Sequence, residues 1–329
     1  MKKLQVPYNL EKHCLDMYAN WVDYIQEIYF ACSPEIFPSA RCWEYQTDYL
    51  EQQFKILEFC KLYNIKSAVL LNGTEATITD DRLKNVKEYL STLQEYGLNK
   101  IVVANPILGG WIKQNIPGLE IKLSILSLQY TLQKIISFYE TGYMDEICLP
   151  LDWNHNIDDL KELKRYCPNL RISTIINSIC RQNCPLYCWH QSLFNSNRRK
   201  EDDRNMQDIL NTTLSISSKL STSFKQIPFI LPEELDYYDQ FFDGYKVEGR
   251  TWSTVALEQR LAYMALRVNP TYINTYLNIA WCCNAPDNTK IEDLDKDWLL
   301  YRRNCKNTCW RCKYELYCKE TPIHSKFNS

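Results

Sequence analysis

Arg-Ile-Ser-Thr-Ile-Ile-Asn-Ser-Ile-Cys-Arg-Gln-Asn-Cys-Pro-Leu-Tyr-Cys-Trp-His, residues 171–190, begins as an apolar, β-branched run and ends in a loop interrupted by Pro185. The thiols of Cys180, Cys184 and Cys188 recur in that loop at every fourth residue. A strand that delivers soft ligands at its C-terminal end matches α/β architecture, in which the chemistry sits beyond the carboxyl ends of the strands. Outward from this stretch, strand-like runs recur at 4–6, 25–30, 66–71, 100–104, 120–124, 146–149, 227–231 and 245–247. Helical periodicity fills the gaps. In 49–63, Leu50, Phe54, Leu57 and Cys60 recur at three- and four-residue steps and form one apolar stripe, and 80–96, 131–139, 158–166 and 254–268 read likewise. Asp80 and Asp158 are the expected N-caps, and Gly97 and Gly142 the expected helix stops.

Strands alternating with helices every ~20–40 residues predict parallel βαβ units, and eight of these close a TIM-like (β/α)8 barrel. Nine candidate strands are one too many. The run 227–231 is the expected surplus, because Pro228 and Pro232 cannot donate to a ladder. The barrel is assigned to residues 1–268. From 269 the β/α rhythm stops, and 269–329 is expected to be a Cys-rich extension packed on the barrel, carrying Cys282, Cys283, Cys305, Cys309, Cys312 and Cys318.

The chain has 329 residues, of which 45% are hydrophobic, so it can bury a large core as one unit. Its formal net charge is -2 with both signs interspersed, which announces no general nucleic-acid surface. No apolar run approaches the ~18 residues of a membrane span. The N-terminal apolar residues are interrupted by Gln5, Pro7 and Asn9, unlike a signal peptide, and the expected location is cytoplasmic. In such a chain fifteen cysteines argue for metal ligation rather than a disulfide scaffold. The tail pattern Cys305-x3-Cys309-x2-Cys312-x5-Cys318 has spacings suited to a cluster or to zinc. Either one site is shared by loop and tail, or each holds its own. Cys305, Cys309 and Cys312 also match the spacing of a radical-initiating triad, but they follow the last βα unit instead of the first strand.

Glu248 and Arg250 lie just past the last strand, where Arg can grip a carboxylate or phosphate and Glu can position or deprotonate a ligand. An internal ion pair closing the barrel is the other reading. Asn72, Asn105 and Asn177 each follow a strand on the same side, which suits polar substrate contacts and equally suits turn chemistry. His190 is a candidate acid or base, or a hydrogen-bonded neighbour of the cysteines. His155, in an Asn-rich loop, is read as a surface or capping residue. No phosphate-cradling Gly-rich loop, His-Glu-x-x-His or Gly-x-Ser-x-Gly occurs, so nucleotide hydrolysis, zinc proteolysis and serine-hydrolase chemistry lack their residues.

Three stretches, in order, resemble the collagenase-like peptidase U32 superfamily. Asn177-x2-Cys180-x3-Cys184-Pro185-x4-His190 is similar to its signature loop, Tyr245-Lys246-Val247-Glu248-Gly249-Arg250 to its Lys-Ile-Glu-Gly-Arg strand end, and Ile28-Tyr29-Phe30 with Ser39-Ala40-Arg41 to its early strand and Arg loop. The resemblance spans about 1–270 and implies a barrel with the Glu-Gly-Arg strand near its closing position. It further implies ligand contacts at Arg41, Glu248 and Arg250. Branches of the superfamily hold a 4Fe-4S iron-sulfur cluster with such a thiol pair plus two more cysteines, and hydroxylate aromatic or nucleobase substrates without molecular oxygen. A small-molecule or RNA substrate, and a partner protein of the same superfamily, are therefore expected. A U32-type peptidase and a non-catalytic protein stabilised by a cluster or zinc are the alternatives.

Overall fold

The computed structural model describes residues 3–39, 49–74, 77–129, 131–178, 180, 182, 184, 186–187, 212, 227–250, 252–277, 289–294, 296–303 and 305. Arg41, Cys188, His190, Cys309, Cys312 and Cys318 lie outside them. Eight strands, β1 (Leu4–Pro7), β2 (Ile25–Ala31), β3 (Lys66–Leu71), β4 (Lys100–Val103), β5 (Glu120–Leu123), β6 (Glu146–Cys148), β7 (Arg171–Ile175) and β8 (Gly244–Lys246), form a closed barrel in chain order. Every pairing is parallel, including the closing one, where Leu4 faces Tyr245 and Gln5 faces Lys246. The connecting helices include α1 (Cys14–Ala19), α2 (Tyr49–Leu62), α3 (Asp80–Glu95), α4 (Pro106–Asn115), α5 (Leu132–Tyr139) and α6 (Ile157–Tyr166). Among the described residues no helix is long and apolar enough to cross a membrane.

The helices form where apolar residues recur at helical spacing. In α3 Val86, Tyr89, Leu90 and Leu93 face the barrel, and in α6 Ile157, Leu160 and Leu163 do. Two expected caps are corrected. The cap of α3 is Thr79, whose hydroxyl accepts from the Arg82 amide, because an extended residue has to precede the first helical turn and Asp80 is already inside it. Helix α6 starts at Ile157, before Asp158, and its N-cap Asn156 makes no side-chain cap bond. Gly97 and Gly142 end α3 and α5 with φ of 104° and 71°, values that disfavour any residue with a Cβ.

The run 227–231 forms no strand. Its apolar side chains are buried for another reason. Asn154 donates to the carbonyls of Ile175 and Pro228 at 2.9 and 2.7 Å, and Ile230 N donates to Ile176 O at 3.0 Å, pinning the segment beside β7. The short helix Lys296–Arg302 covers it, with Arg302 over the Phe229 ring and ion-paired to buried Glu234.

His155 belongs to this contact and is 2% exposed, which corrects its reading as a surface residue. The Phe229 carbonyl, 3.1 Å from Nε2, can only accept, so Nε2 carries the hydrogen and Nδ1 accepts from the Tyr238 hydroxyl at 2.6 Å. Burial, reinforced by the Arg302 guanidinium, holds the imidazole pKa well below its ordinary value.

Alternation places two sets of residues on the strands. Ile101, Val103, Ile121, Leu123, Ile147, Ile172, Tyr245 and Val247 join the outer core against the helices. The inward set is layered. Tyr29, Ala68, Leu70 and Val102 form an apolar layer. Toward the N-terminal ends of the strands lies a buried charge network that the sequence reading did not foresee. Lys100 pairs with Glu27 and Glu146, and Lys122 reaches Glu146 at 2.8 Å, Glu27 at 3.3 Å and the Gln5 carbonyl oxygen at 2.6 Å. Burial alone would raise the Glu146 pKa, but the Lys122 and Lys100 ammonium groups overcome it and hold it well below the usual carboxylate range.

Removing one partner from this network strands its counter-charges, so Lys100→Met is expected to lose about 3–5 kcal/mol of stability at neutral pH, measured by urea unfolding. A second expectation follows from His155. Because its folded pKa is depressed, the unfolded chain binds the extra proton first, and stability falls as pH drops below about 6.5, by up to about 1.4 kcal/mol per pH unit from this group. His155→Gln, which can still donate to Phe229 O and accept from Tyr238, should flatten that part of the profile when unfolding is compared between neutral and mildly acidic pH.

Candidate active site at the barrel mouth

The loops beyond the C-terminal ends of the strands enclose a small cavity of about 50 Å³. Its polar lining comes from Asn72 after β3, from Lys246 at the end of β8, and from Glu248 and Arg250 just beyond it. Tyr29, Tyr187 and the apolar side chains of Ile125, Leu126 and Ile175 complete the wall.

The β8 pleat explains why three residues of Tyr245-Lys246-Val247-Glu248-Gly249-Arg250 face the mouth. Tyr245 and Val247 turn outward into the helix-facing core, so Lys246 and Glu248 turn inward. Gly249 then redirects the chain with φ of 144°, and a Cβ there would lie 2.5 Å from the Trp252 ring. Only glycine fits, and the reversal brings Arg250 back to the cavity. Asn177 braces the segment from β7. Its carbonyl oxygen accepts from Glu248 N at 2.9 Å and its amide donates to Glu248 O at 3.4 Å. Tyr29 adds a hydroxyl bond to Val247 O at 2.6 Å.

Asn72 donates to the Ser124 hydroxyl at 3.3 Å and lines the same space. Asn105 does not join it. Its side chain caps α4, accepting from Ile107 N at 2.9 Å and Leu108 N at 3.4 Å.

Lys246 is the residue that sequence reasoning passed over. It is 9% exposed, and its ammonium sits 4.3 Å from the Tyr29 ring centroid. Burial is the main influence on it and lowers its pKa to about 8, with Lys122 and Arg250 acting in the same direction and Cys148 and Glu27 opposing. The signal was present, because Lys246 is two residues from Glu248 and so shares its face of the strand.

The thiol loop leans over this mouth. Cys180 and Tyr187 pack against Ala104, Ile125, Leu126, Cys148, Leu151 and Ile175, which rim the ends of β4 to β7. Cys180 and Cys184 are half-buried, and Tyr187 N donates to Cys184 O at 3.1 Å. From the C-terminal extension Cys305 arrives at the same loop, with its Sγ 3.7 Å from the Gln182 side-chain oxygen, between the two loop cysteines in sequence. Among the described residues no three His, Cys, Asp or Glu side chains converge in one metal-holding group. Cys180, Cys184 and Cys305 are partly accessible soft donors of the type that iron or zinc takes, although they are not gathered into one group.

Comparison with known proteins agrees with the barrel fold. The chain is 22% identical over 306 residues to the uncharacterized protease MJ1657 of Methanocaldococcus jannaschii, an alignment covering 87% of this chain and 85% of that protein. Its fold resembles the structure of the U32 peptidase Mk0906, with a TM-score of 0.55 at 14% identity, covering 76% of this chain and 94% of the other. The profile of peptidase family U32 matches residues 21–188, from the strand that supplies Tyr29 to the end of the thiol loop. This chain, which contains that match over more than half its length, belongs to peptidase family U32.

Proposed function

We propose that this protein is an iron-sulfur enzyme acting at the barrel mouth, where it hydroxylates an aromatic or nucleobase ligand without molecular oxygen. Water is the oxygen source, and an external two-electron acceptor takes the two electrons released with two protons. The observation that carries the reading is the approach of Cys305 to Gln182, which brings a tail thiol to the loop of Cys180 and Cys184. Cys180 and Cys184 would hold the cluster, together with ligands drawn from Cys188, Cys305, Cys309, Cys312 and Cys318. The bound cluster would supply one-electron chemistry beside the cavity.

The protein's own groups have separate tasks. Tyr29 and Tyr187 flank the cavity with aromatic faces, the surface that a flat ring packs against. Asn177 holds the Glu248 backbone and thereby sets where the Glu248 carboxylate points. Arg250 presents a guanidinium fork to a polar substituent on the ligand, and Glu248 is placed to accept a proton from it. The two relatives named above carry protease or peptidase names, and amide hydrolysis is the competing activity. The cavity wall offers an amine, a carboxylate and a guanidinium, a set that serves ligand binding and proton transfer more directly than nucleophilic attack on a peptide.

Protein purified without oxygen is expected to carry about four iron and four acid-labile sulfide per chain. Cys180→Ala and Cys184→Ala should each lose most of both, and Cys305→Ala a substantial part. Undiminished iron in Cys180→Ala would refute the ligand assignment, and stoichiometric zinc in place of iron would refute the redox reading. Extracts of cells with and without the chain, compared by mass spectrometry, should differ by an aromatic or nucleobase product one oxygen heavier. Iron without such a product would leave the cluster a stabilising role, and cleavage of unstructured protein substrates by the same preparation would favour the peptidase.

A further inference from the structure

Lys246 is a buried cation with no ion-pair partner among the described residues. Its side chain lines the mouth cavity, yet among the described residues Nζ makes no ion pair and no hydrogen bond, and its nearest interaction is with the Tyr29 ring face. The carboxylates below it are committed elsewhere, since Glu27 and Glu146 each receive both Lys100 and Lys122. Glu248, two residues along the strand, lines the same cavity but forms no ion pair with Lys246. Arg250 adds a second cation to that wall. An ammonium held out of water without an anion is costly, and the cost falls when an anion enters.

We infer that Lys246, with Arg250 beside it, anchors a single carboxylate carried on an apolar or aromatic ligand. Three features favour a carboxylate over a phosphate. The cavity is small, at about 50 Å³. Glu248 shares it and repels a dianion more than a monoanion. Ile125, Leu126, Ile175 and Tyr187 offer apolar walls to the rest of the ligand instead of the amide donors that phosphate requires. The carboxylate accepts hydrogen bonds from Nζ and from the guanidinium and breaks no covalent bond. This assignment rests on the reading of the mouth as a ligand site, but its anchoring groups, Lys246 and Arg250, stand at the end of β8 and just beyond it and not on the thiol loop.

The anchor has a proton signature. The groups that set the charge of Lys246 are Lys122 and Arg250 on one side, Glu27 and Cys148 on the other, with the Tyr29 ring and Glu248 at the cavity wall. With the cavity empty the amine is half-protonated near pH 8. An entering carboxylate favours the ammonium, so binding near pH 8 takes up a fraction of a proton, and affinity declines as pH rises further.

Sodium benzoate is the probe, titrated calorimetrically into the full-length chain purified without oxygen, at about pH 8 in two buffers of different ionisation enthalpy. Wild-type protein should bind it with net proton uptake. Lys246→Met should weaken binding at least tenfold and abolish the uptake, while Lys246→Arg should keep most of the affinity and lose the pH dependence. If the methionine variant fails to fold, as judged by its thermal transition, the arginine variant alone decides the matter. Unchanged benzoate binding in Lys246→Met, absence of benzoate binding in the wild type, or pH dependence retained in Lys246→Arg would each overturn the proposal. So would inorganic phosphate binding more tightly than benzoate. None of these outcomes depends on iron content, so they are separable from the failure of the iron-sulfur reading.

Discussion

The two lysines and two glutamates inside the barrel are the constraint on which the rest of the structure depends. Lys100, Lys122, Glu27 and Glu146 come from four strands, and each cation meets both anions. Buried charges of this kind add little net stability compared with an apolar core, but they penalise every alternative arrangement. Slipping any one of these strands by a residue would turn its charge outward into the Ile, Val and Leu layer beneath the helices, unpaired and out of water. The network therefore fixes strand register, and register fixes which side chains emerge at the other end of the barrel. Lys246 and Glu248 face the mouth because β8 is registered against Gln5 on one side and Ile175 on the other.

The same separation of layers keeps the mouth chemically distinct from the floor. Tyr29, Ala68, Leu70 and Val102 lie between them and carry no charge. Below that layer every cation has its anion. Above it, Lys246 and Arg250 share a cavity with Glu248 and Asn72. Burial and the like charges of Lys122 and Arg250 act on Lys246 in one direction, and Cys148 and Glu27 act in the other. Without the Lys122 ammonium in the floor, the amine at the mouth would not sense a like charge from below.

Much of the architecture was legible in the sequence. The βα rhythm identified all eight strands, and the prolines in 227–231 marked the surplus candidate correctly, because period-2 and period-3.6 patterns report directly on which face is buried. Position within a turn was less legible. Asp80 and Thr79 are both good capping residues, and only backbone geometry chooses between them. His155 was misjudged because polar neighbours suggested a surface loop, whereas Asn154 and His155 turn inward to satisfy carbonyls of a segment distant in sequence. The interior charges escaped notice for a related reason. Lys100, Lys122 and Glu146 stand at or near strand ends, where a charge ordinarily means solvent, and only closure of the barrel shows that they meet. Glu248, Arg250 and Asn72 line one cavity and Asn177 braces the Glu248 backbone, whereas Asn105 spends its side chain on a helix cap.

The relation between the thiols and the cavity is the last link. Cys180 packs on the rim formed by β4 to β7, and Tyr187, three residues beyond Cys184, closes the wall opposite β8. A group bound by this loop would thus be tied to the same short segment that supplies one wall of the ligand space. Cys305 extends the connection to the C-terminal extension, whose helix Lys296–Arg302 is held on the barrel by Arg302 and Glu234. That ion pair is buried on both sides, at 5% and 2% side-chain exposure, and it stands three residues from Cys305. The pair joins this helix to the barrel at Glu234, and Cys305 brings its sulfur to Gln182.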